Sequence, residues 1–292
     1  MKTLYLIGNG FDLAHGLDTR YSSFRAFLSK NHDGFLAQFE KMYNIEPLDD
    51  TEPWYTEKAQ KQWEESVLKD LWKSFEEEIG NPNVDEMHDM AEALTDGMPE
   101  DGVKGTLDAY WREEYGFSRD FQKYVLEWIE TVDTSVATVK RKDLVGNKTD
   151  LFMSFNYTDT LERVYGINGV LHIHGGVSCT DTPPIMGHGN KKLIDMYREK
   201  AKVAQEEFVE WEESICNAVA NYEQALYKDT GKIILDNEDF FTSLSDIDRV
   251  VCFGSSFGEV DIPYLKRIDE EVKATTKWEV YYHDAESFET LK

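Results

Sequence analysis

The chain has 292 residues, 41% of them hydrophobic and 13% aromatic, which is enough apolar matter for a packed core and too much for wholesale disorder. Its 31 basic and 57 acidic side chains leave a formal charge of -26, so it repels phosphate backbones and anionic membranes, and neither broad nucleic-acid binding nor membrane binding is expected. Cys179, Cys216 and Cys252 form no CxxC pair, so no zinc ribbon or disulfide framework is readable; the apolar start, residues 4–7, is too short for a signal peptide or membrane span, and a cytoplasmic protein is expected.

From the N-terminus, residues 3–7 (TLYLI) read as a strand stopped by Gly8-Asn9-Gly10, and residues 11–17 as a short helical turn or loop. Ser22 or Ser23 is placed to cap a helix from Phe24. Residues 35–118 change character, with 22 acidic against 7 basic side chains. Within them, residues 61–79 space Trp63, Val67, Leu71, Trp72 and Phe75 at helical intervals, and residues 82–105 are acidic and loop-prone. The stretch reads as an acidic helical insertion carried by a single α/β domain spanning 1–292. Residues 117–132 predict an amphipathic helix with Phe121, Tyr124, Val125 and Trp128 on one side.

Further on, residues 150–155 (DLFMSF) predict a strand, 158–165 a helix, 170–174 (VLHIH) a strand and 191–227 mostly helix. Residues 249–253 (RVVCF) predict a strand stopped by Gly254, and 278–283 (WEVYYH) the last one. Short strands separated by helical stretches predict a doubly wound, Rossmann-like parallel sheet. Ligands of such sheets bind outside the carboxyl ends of the strands. Four of those ends carry unusual chemistry: Gly8-Asn9-Gly10, Asn156-Tyr157, His174-Gly175 and Gly254-Ser255-Ser256. Their convergence on one edge says more than any one motif.

Each motif has a functional and a structural reading. In GNGFD, glycines let backbone N–H groups approach a phosphate, but the spacing breaks the G-x-G-x-x-G fingerprint. Asp12 beside a phosphate would be repulsive, so it is read as accepting from a ribose hydroxyl or capping a helix, with His15 a bonded surface residue. In SFNYTDTLE, Asn156 holds a water or a ribose oxygen, or caps the next helix, and Glu162 is a structural acid. In HIHGG, strand alternation puts His172 and His174 on one face. With His188 of GHG they could be metal ligands; alternatively His174 is a general base and His172 supports it. No HxxE or DxH ligand set lies near these histidines, so no metal is expected. In FGSSFGEVDIP, Gly254, Ser255 and Ser256 suit a ribose or phosphate, whereas capping is put first for Glu259 and Asp261.

The strings LIGNGFDLAHGL, SFNYTDTLERVY, HIHGG with MGHGN, and FGSSFGEVDIPYL, in this order, resemble the AbiH family of bacterial phage-abortive-infection proteins. They cover under a quarter of the residues and span the chain, and the acidic middle carries none of them. More distantly the pattern is similar to the sirtuin-type NAD-binding fold. That likeness matches Gly8 and Gly10 to its glycine turn, Asn156 to its strand-end asparagine, His174 to its catalytic histidine, and Gly254 and Ser255 to its late loop. Two departures stand out: the acid two residues after the asparagine is Thr158 here, and the zinc-binding cysteine pairs are absent. The resemblance therefore implies NAD as ligand or substrate and an antiviral hydrolase that cleaves the nicotinamide–ribose bond, not a protein deacetylase. Asn156 would hold the water or ribose, His174 would take a proton, and Asn9, Asp12, Tyr157 and Ser256 would join the glycines and Ser255 around the nucleotide. A non-catalytic nucleotide sensor, a homo-oligomer, a subunit of a defence assembly with a partner protein, and a metal-dependent nucleotide hydrolase using His172, His174 and His188 remain as alternatives.

Overall fold

The computed structural model describes residues 1–281 apart from 50, 53–54, 70, 99–101, 145–148 and 180–181. Among the described residues, five strands form one wholly parallel sheet: β1 (Thr3–Ile7), β2 (Leu151–Ser154), β3 (Leu171–His172), β4 (Arg249–Phe253) and β5 (Lys277–Tyr281). Their order is β3-β2-β1-β4-β5. β1 is buried at all of its positions, as the central strand of a sheet covered on both faces must be. Its side chains alternate between two cores. Leu4 and Leu6 join Met153, Val250 and Cys252 beneath Ile247, Tyr264 and Ile268. Tyr5 and Ile7 join Phe152, Val251 and Phe253 beneath Leu161 and Tyr165. Register sets Ile7 beside Ser154 and Phe253, and Ser154 beside His172, so four strand ends stand abreast.

The chain divides into two compact units. The sheet unit comprises Met1–Phe24, Gln122–Met186 and the chain from Asp229 onward; the helical unit comprises Arg25–Phe121 and Gly187–Lys228. No helix among the described residues is long and apolar enough to cross a membrane.

Several elements differ from the sequence expectation. The first helix, Asn9–Ala14, starts inside the glycine turn. The next, Tyr21–Asn31, contains Ser22 and Ser23 instead of being capped by them, and the Ser23 hydroxyl donates back to Asp18. The helix expected over 61–79 is two, Glu57–Lys69 and Phe75–Glu78. The turn between them lets Trp72 stack on Phe75 at 4.5 Å and donate its indole N–H to Glu40 at 2.7 Å. Tertiary packing overrides the continuous period there. The loop expected over 82–105 holds the helix Asp85–Thr95 and the start of Val103–Glu114. Buried Met87 and Ala91, four residues apart, supply the apolar stripe that the acidic composition concealed. The helix expected over 117–132 is a 3-10 turn, Gly116–Asp120, followed by Phe121–Glu130. The stretch 191–227 divides into Lys191–Glu206 and Glu210–Leu226.

β3 stops at His172, because the chain turns there: Gly175 donates to the His172 carbonyl and takes a φ of 71°, open to a glycine. His172 and His174 are therefore not related by strand alternation. β5 begins one residue early, at Lys277, and His283 lies outside the described residues.

Candidate functional site

The glycines at the β1 and β4 ends serve each other. Gly8 donates to the Phe253 carbonyl and Gly10 to the Gly254 carbonyl, each at 2.8 Å. A Cβ on Gly8 would lie 2.6 Å from the Gly254 oxygen, and one on Gly254, whose φ is 63°, would lie 2.3 Å from the Phe11 nitrogen. Close approach of two turns therefore explains these three glycines, and the Gly8 and Gly10 N–H groups are engaged by backbone. The outer surface of the turns is left to side chains. Asn9 is exposed and exchanges hydrogen bonds with Thr19; Ser255 is half-buried and accepts from the Phe257 N–H; Ser256 is exposed.

Below this seam sits Asp12, 1% exposed. Thr158 donates to its Oδ2 at 2.6 Å and stands 3.0 Å from Thr160 Oγ1. Its Oδ1 is buried and meets no donor at hydrogen-bonding geometry among the described residues. Burial pushes the Asp12 carboxyl above its ordinary value, and Thr158, Thr160, Asn156 and His15 oppose the rise. Thr158, the departure from the sirtuin pattern, is thus the residue that binds the buried acid. The next acid, Asp159, accepts from Thr134 and Arg163 and is structural.

Asn156 is buried and knits three strand ends. Its side-chain amide donates to the Gly8 carbonyl at 3.1 Å, its own N–H to Ser154 Oγ at 3.1 Å, and its carbonyl faces His172 Nδ1 at 3.0 Å. The other His172 nitrogen, Nε2, lies 2.9 Å from Glu162 Oε1. A ring set between a carbonyl and a carboxylate needs a proton on each nitrogen to bond both. Burial alone would lower its pKa; the Glu162 carboxylate and the Asn156 carbonyl outweigh burial and hold it above the ordinary value. Tyr157 turns outward and donates its hydroxyl to the Ile185 carbonyl.

His15 has the opposite inventory. The Tyr165 hydroxyl oxygen accepts from the Lys140 and Arg141 N–H groups, so its proton goes to His15 Nε2, 2.6 Å away. His15 Nδ1 then donates to the Phe11 carbonyl at 2.7 Å. This is a buried brace, not the surface residue expected.

His174 is 3% exposed, with Nε2 3.6 Å from Asp261 Oδ1 and its ring against Phe155 and Tyr264. Asp261 stands at the head of the helix Ile262–Glu271 but makes no side-chain capping bond. Its carboxylate is turned to the histidine, which corrects the capping role expected for it. The glycine on which the following loop turns, Gly175, packs against the Pro183 carbonyl, where a Cβ would come within 2.3 Å. His188 belongs to the helical unit, where it engages Glu223 and Asn190. No group of three His, Cys, Asp or Glu side chains among the described residues could hold a metal ion.

A fully parallel five-stranded sheet covered by helices defines an α/β class of fold, not one activity. The family is narrower. The model of the family described as bacteriophage abortive infection AbiH matches residues 4–282, and the chain belongs to that family. Membership implies a part in phage abortive-infection defence. No curated protein matches the chain, and no solved structure does.

Proposed function

We propose that this AbiH protein binds a nucleotide at the carboxyl edge of its sheet and, acting in the cytoplasm during infection, hydrolyses the nicotinamide–ribose bond of NAD. The observation that carries the reading is the buried His174 with the Asp261 carboxylate 3.6 Å from its Nε2, beside the strand ends. The strand order supports it: the sheet runs outward from β1 in both directions, through β2 and β4, and nucleotides of Rossmann-like sheets bind at such a reversal. The available groups fit the ligand's chemistry by parts. Asp12 Oδ1 suits a ribose hydroxyl, and the outward Asn9, Ser255 and Ser256 suit phosphate oxygens better than the engaged glycine N–H groups do.

In the reaction, a water oxygen attacks ribose C1′ and the C1′–N bond breaks. Its electron pair leaves with nicotinamide as a neutral ring. The water's proton passes to His174, and Asp261 steadies the resulting imidazolium. Asn156, held by Gly8 and His172, borders the ribose and fixes the strand ends. Loss of a positioned base typically costs about 10²–10⁴-fold in rate.

The test is a paired one on wild type and His174→Ala, with nicotinamide release followed by chromatography and NAD binding by calorimetry. Release by wild type, lost with retained binding in the variant, is the expected result. Equal release by both removes His174 from the chemistry. Binding without release by either indicates a sensing role, and absence of both removes NAD.

A further inference from the structure

In the helical unit, the helix Lys191–Glu206 carries two apolar stripes. Ile194, Tyr197, Ala201 and Ala204 are buried, whereas Met196 and Val203, seven residues apart on another face, are 41% and 43% exposed. Met196 and Val203 floor an open groove of about 420 Å³, within the range of ligand-sized sites. Glu199, Glu207 and Glu212 rim it against a single Lys200, whose ammonium lies over the Tyr197 ring.

Phe208 follows that rim directly and is 89% exposed, and nearby Trp211 is 44% exposed. Phe208 also has a φ of 62°, the left-handed conformation that ends helices. Its N–H donates to the Gln205 carbonyl and the Val209 N–H to the Ala204 carbonyl, so the position is a helix stop where glycine or asparagine is the favoured residue. Phenylalanine there has a Cβ that opposes the backbone and a ring that gains no burial. Among the described residues the ring is left almost wholly to solvent.

We propose that the groove and Phe208 form a docking surface for a basic amphipathic helix of a partner protein. The partner's apolar side chains enter between Met196, Val203 and Phe208, and its lysines or arginines meet Glu199, Glu207 and Glu212. Charge selects this occupant. A second copy would bring another chain of formal charge -26 against the same acidic rim, and an anionic lipid surface would be repelled. Helix-in-groove docking with spaced apolar anchors is the matching mode of recognition.

The probe is an 18-residue peptide of leucine and lysine at helical spacing, titrated by calorimetry into the full-length protein, with a leucine–glutamate peptide of the same pattern as its counterpart. Wild type is expected to bind the basic peptide only. Phe208→Gly is expected to weaken it roughly tenfold or more while raising Tm, because glycine relieves the left-handed residue. Opposite signs on binding and stability separate docking from a structural role. Glu207→Lys with Glu212→Lys should abolish binding, and the exposed pair Glu65→Lys with Glu113→Lys should leave it nearly unchanged. The proposal is overturned if wild type binds neither peptide or both alike, if Phe208→Gly lowers Tm, or if the two lysine pairs act alike. Wild-type self-association that disappears in Phe208→Gly would assign the surface to a second copy, also overturning it.

Discussion

In the sheet unit, His172 faces Glu162 at 2.9 Å; in the helical unit, His188 faces Glu223 Oε2 at 3.3 Å. The residue types are the same and the protonation states are not. His172 lies between two acceptors and holds both protons, and Glu162 keeps 28% of its side chain in solvent. His188 Nδ1 accepts from the Asn190 N–H, so its one proton sits on Nε2 and goes to the Glu223 carbonyl. Glu223 is wholly buried and neither carboxylate oxygen meets a donor at hydrogen-bonding geometry among the described residues. Burial pushes Glu223 up to about 8 and His188 down to about 4. One pair is thus ionic and the other neutral over a span of pH. The hydrogen-bond inventory and access to water decide this, not the pairing of names.

The largest effect should come from a buried ion pair of the helical unit. Lys228 is wholly buried and its ammonium lies 2.7 Å from Glu76 Oε1. Lys228→Met leaves that carboxylate with the Gly187 N–H at 3.4 Å among the described residues, and should cost about 3–5 kcal/mol in urea unfolding. A loss below about 1 kcal/mol would show that charge is tolerated in this interior and weaken the contrast.

Next is the pH profile of the neutral pair. Glu223 in the folded state keeps its proton above the ordinary 4.5, so its contribution is full below that value and declines as pH rises to about 8. His188 has the opposite sign: between about 4 and 6.5 the unfolded chain binds the proton and the folded one does not, so stability rises with pH there. The two slopes oppose each other between 4.5 and 6.5, and above 6.5 this pair contributes the Glu223 decline alone. Glu223→Gln should remove that decline, a gain over wild type of about 2 kcal/mol at pH 6 that grows by about 1.4 kcal/mol per pH unit toward pH 8. Unfolding curves at pH 6, 7 and 8 decide it; a variant as pH-sensitive as wild type would mean that Glu223 is ionised throughout.

The smallest effect is at His172. Its folded pKa is raised, so the stability it contributes is full below about 6.5 and is lost as pH passes the raised value. His172→Gln should flatten that part of the profile. Nitrogen NMR at pH 6 should show two ring protons on His172 and one on His188. A single proton on His172 would erase the comparison.

Much of the sheet was legible because its strands are largely apolar runs ended by glycine, as in 3–7 and 249–253. β3 was not, since its two residues are too few for a period, and the turn that ends it depends on Gly175 meeting Pro183. The strand-end motifs were legible as a set, since parallel strands bring their ends together whatever the loops do. The partners that give those residues their states were hidden. Thr158 reaches Asp12 across 146 positions, and Asp261 reaches His174 from a helix head that reads locally as a cap. His172 and Glu162 are only ten residues apart, but strand and helix periods do not relate them. Thr158 was visible as a departure, standing where the sirtuin pattern has an acid, but its bond to Asp12 was not.

The meeting of Gly8, Gly10 and Gly254 has a bearing on how this edge can change over generations. It is a junction of main chain on main chain, with no side chain whose size, charge or polarity could be altered by small steps. Such a junction can be kept or broken but not graded. Any drift in the chemistry this edge presents must therefore come from its neighbours, Asn9, Ser255 and Ser256 on the outside and Asp12 with Thr158 beneath. The seam works as a fixed datum from which those five positions are free to vary.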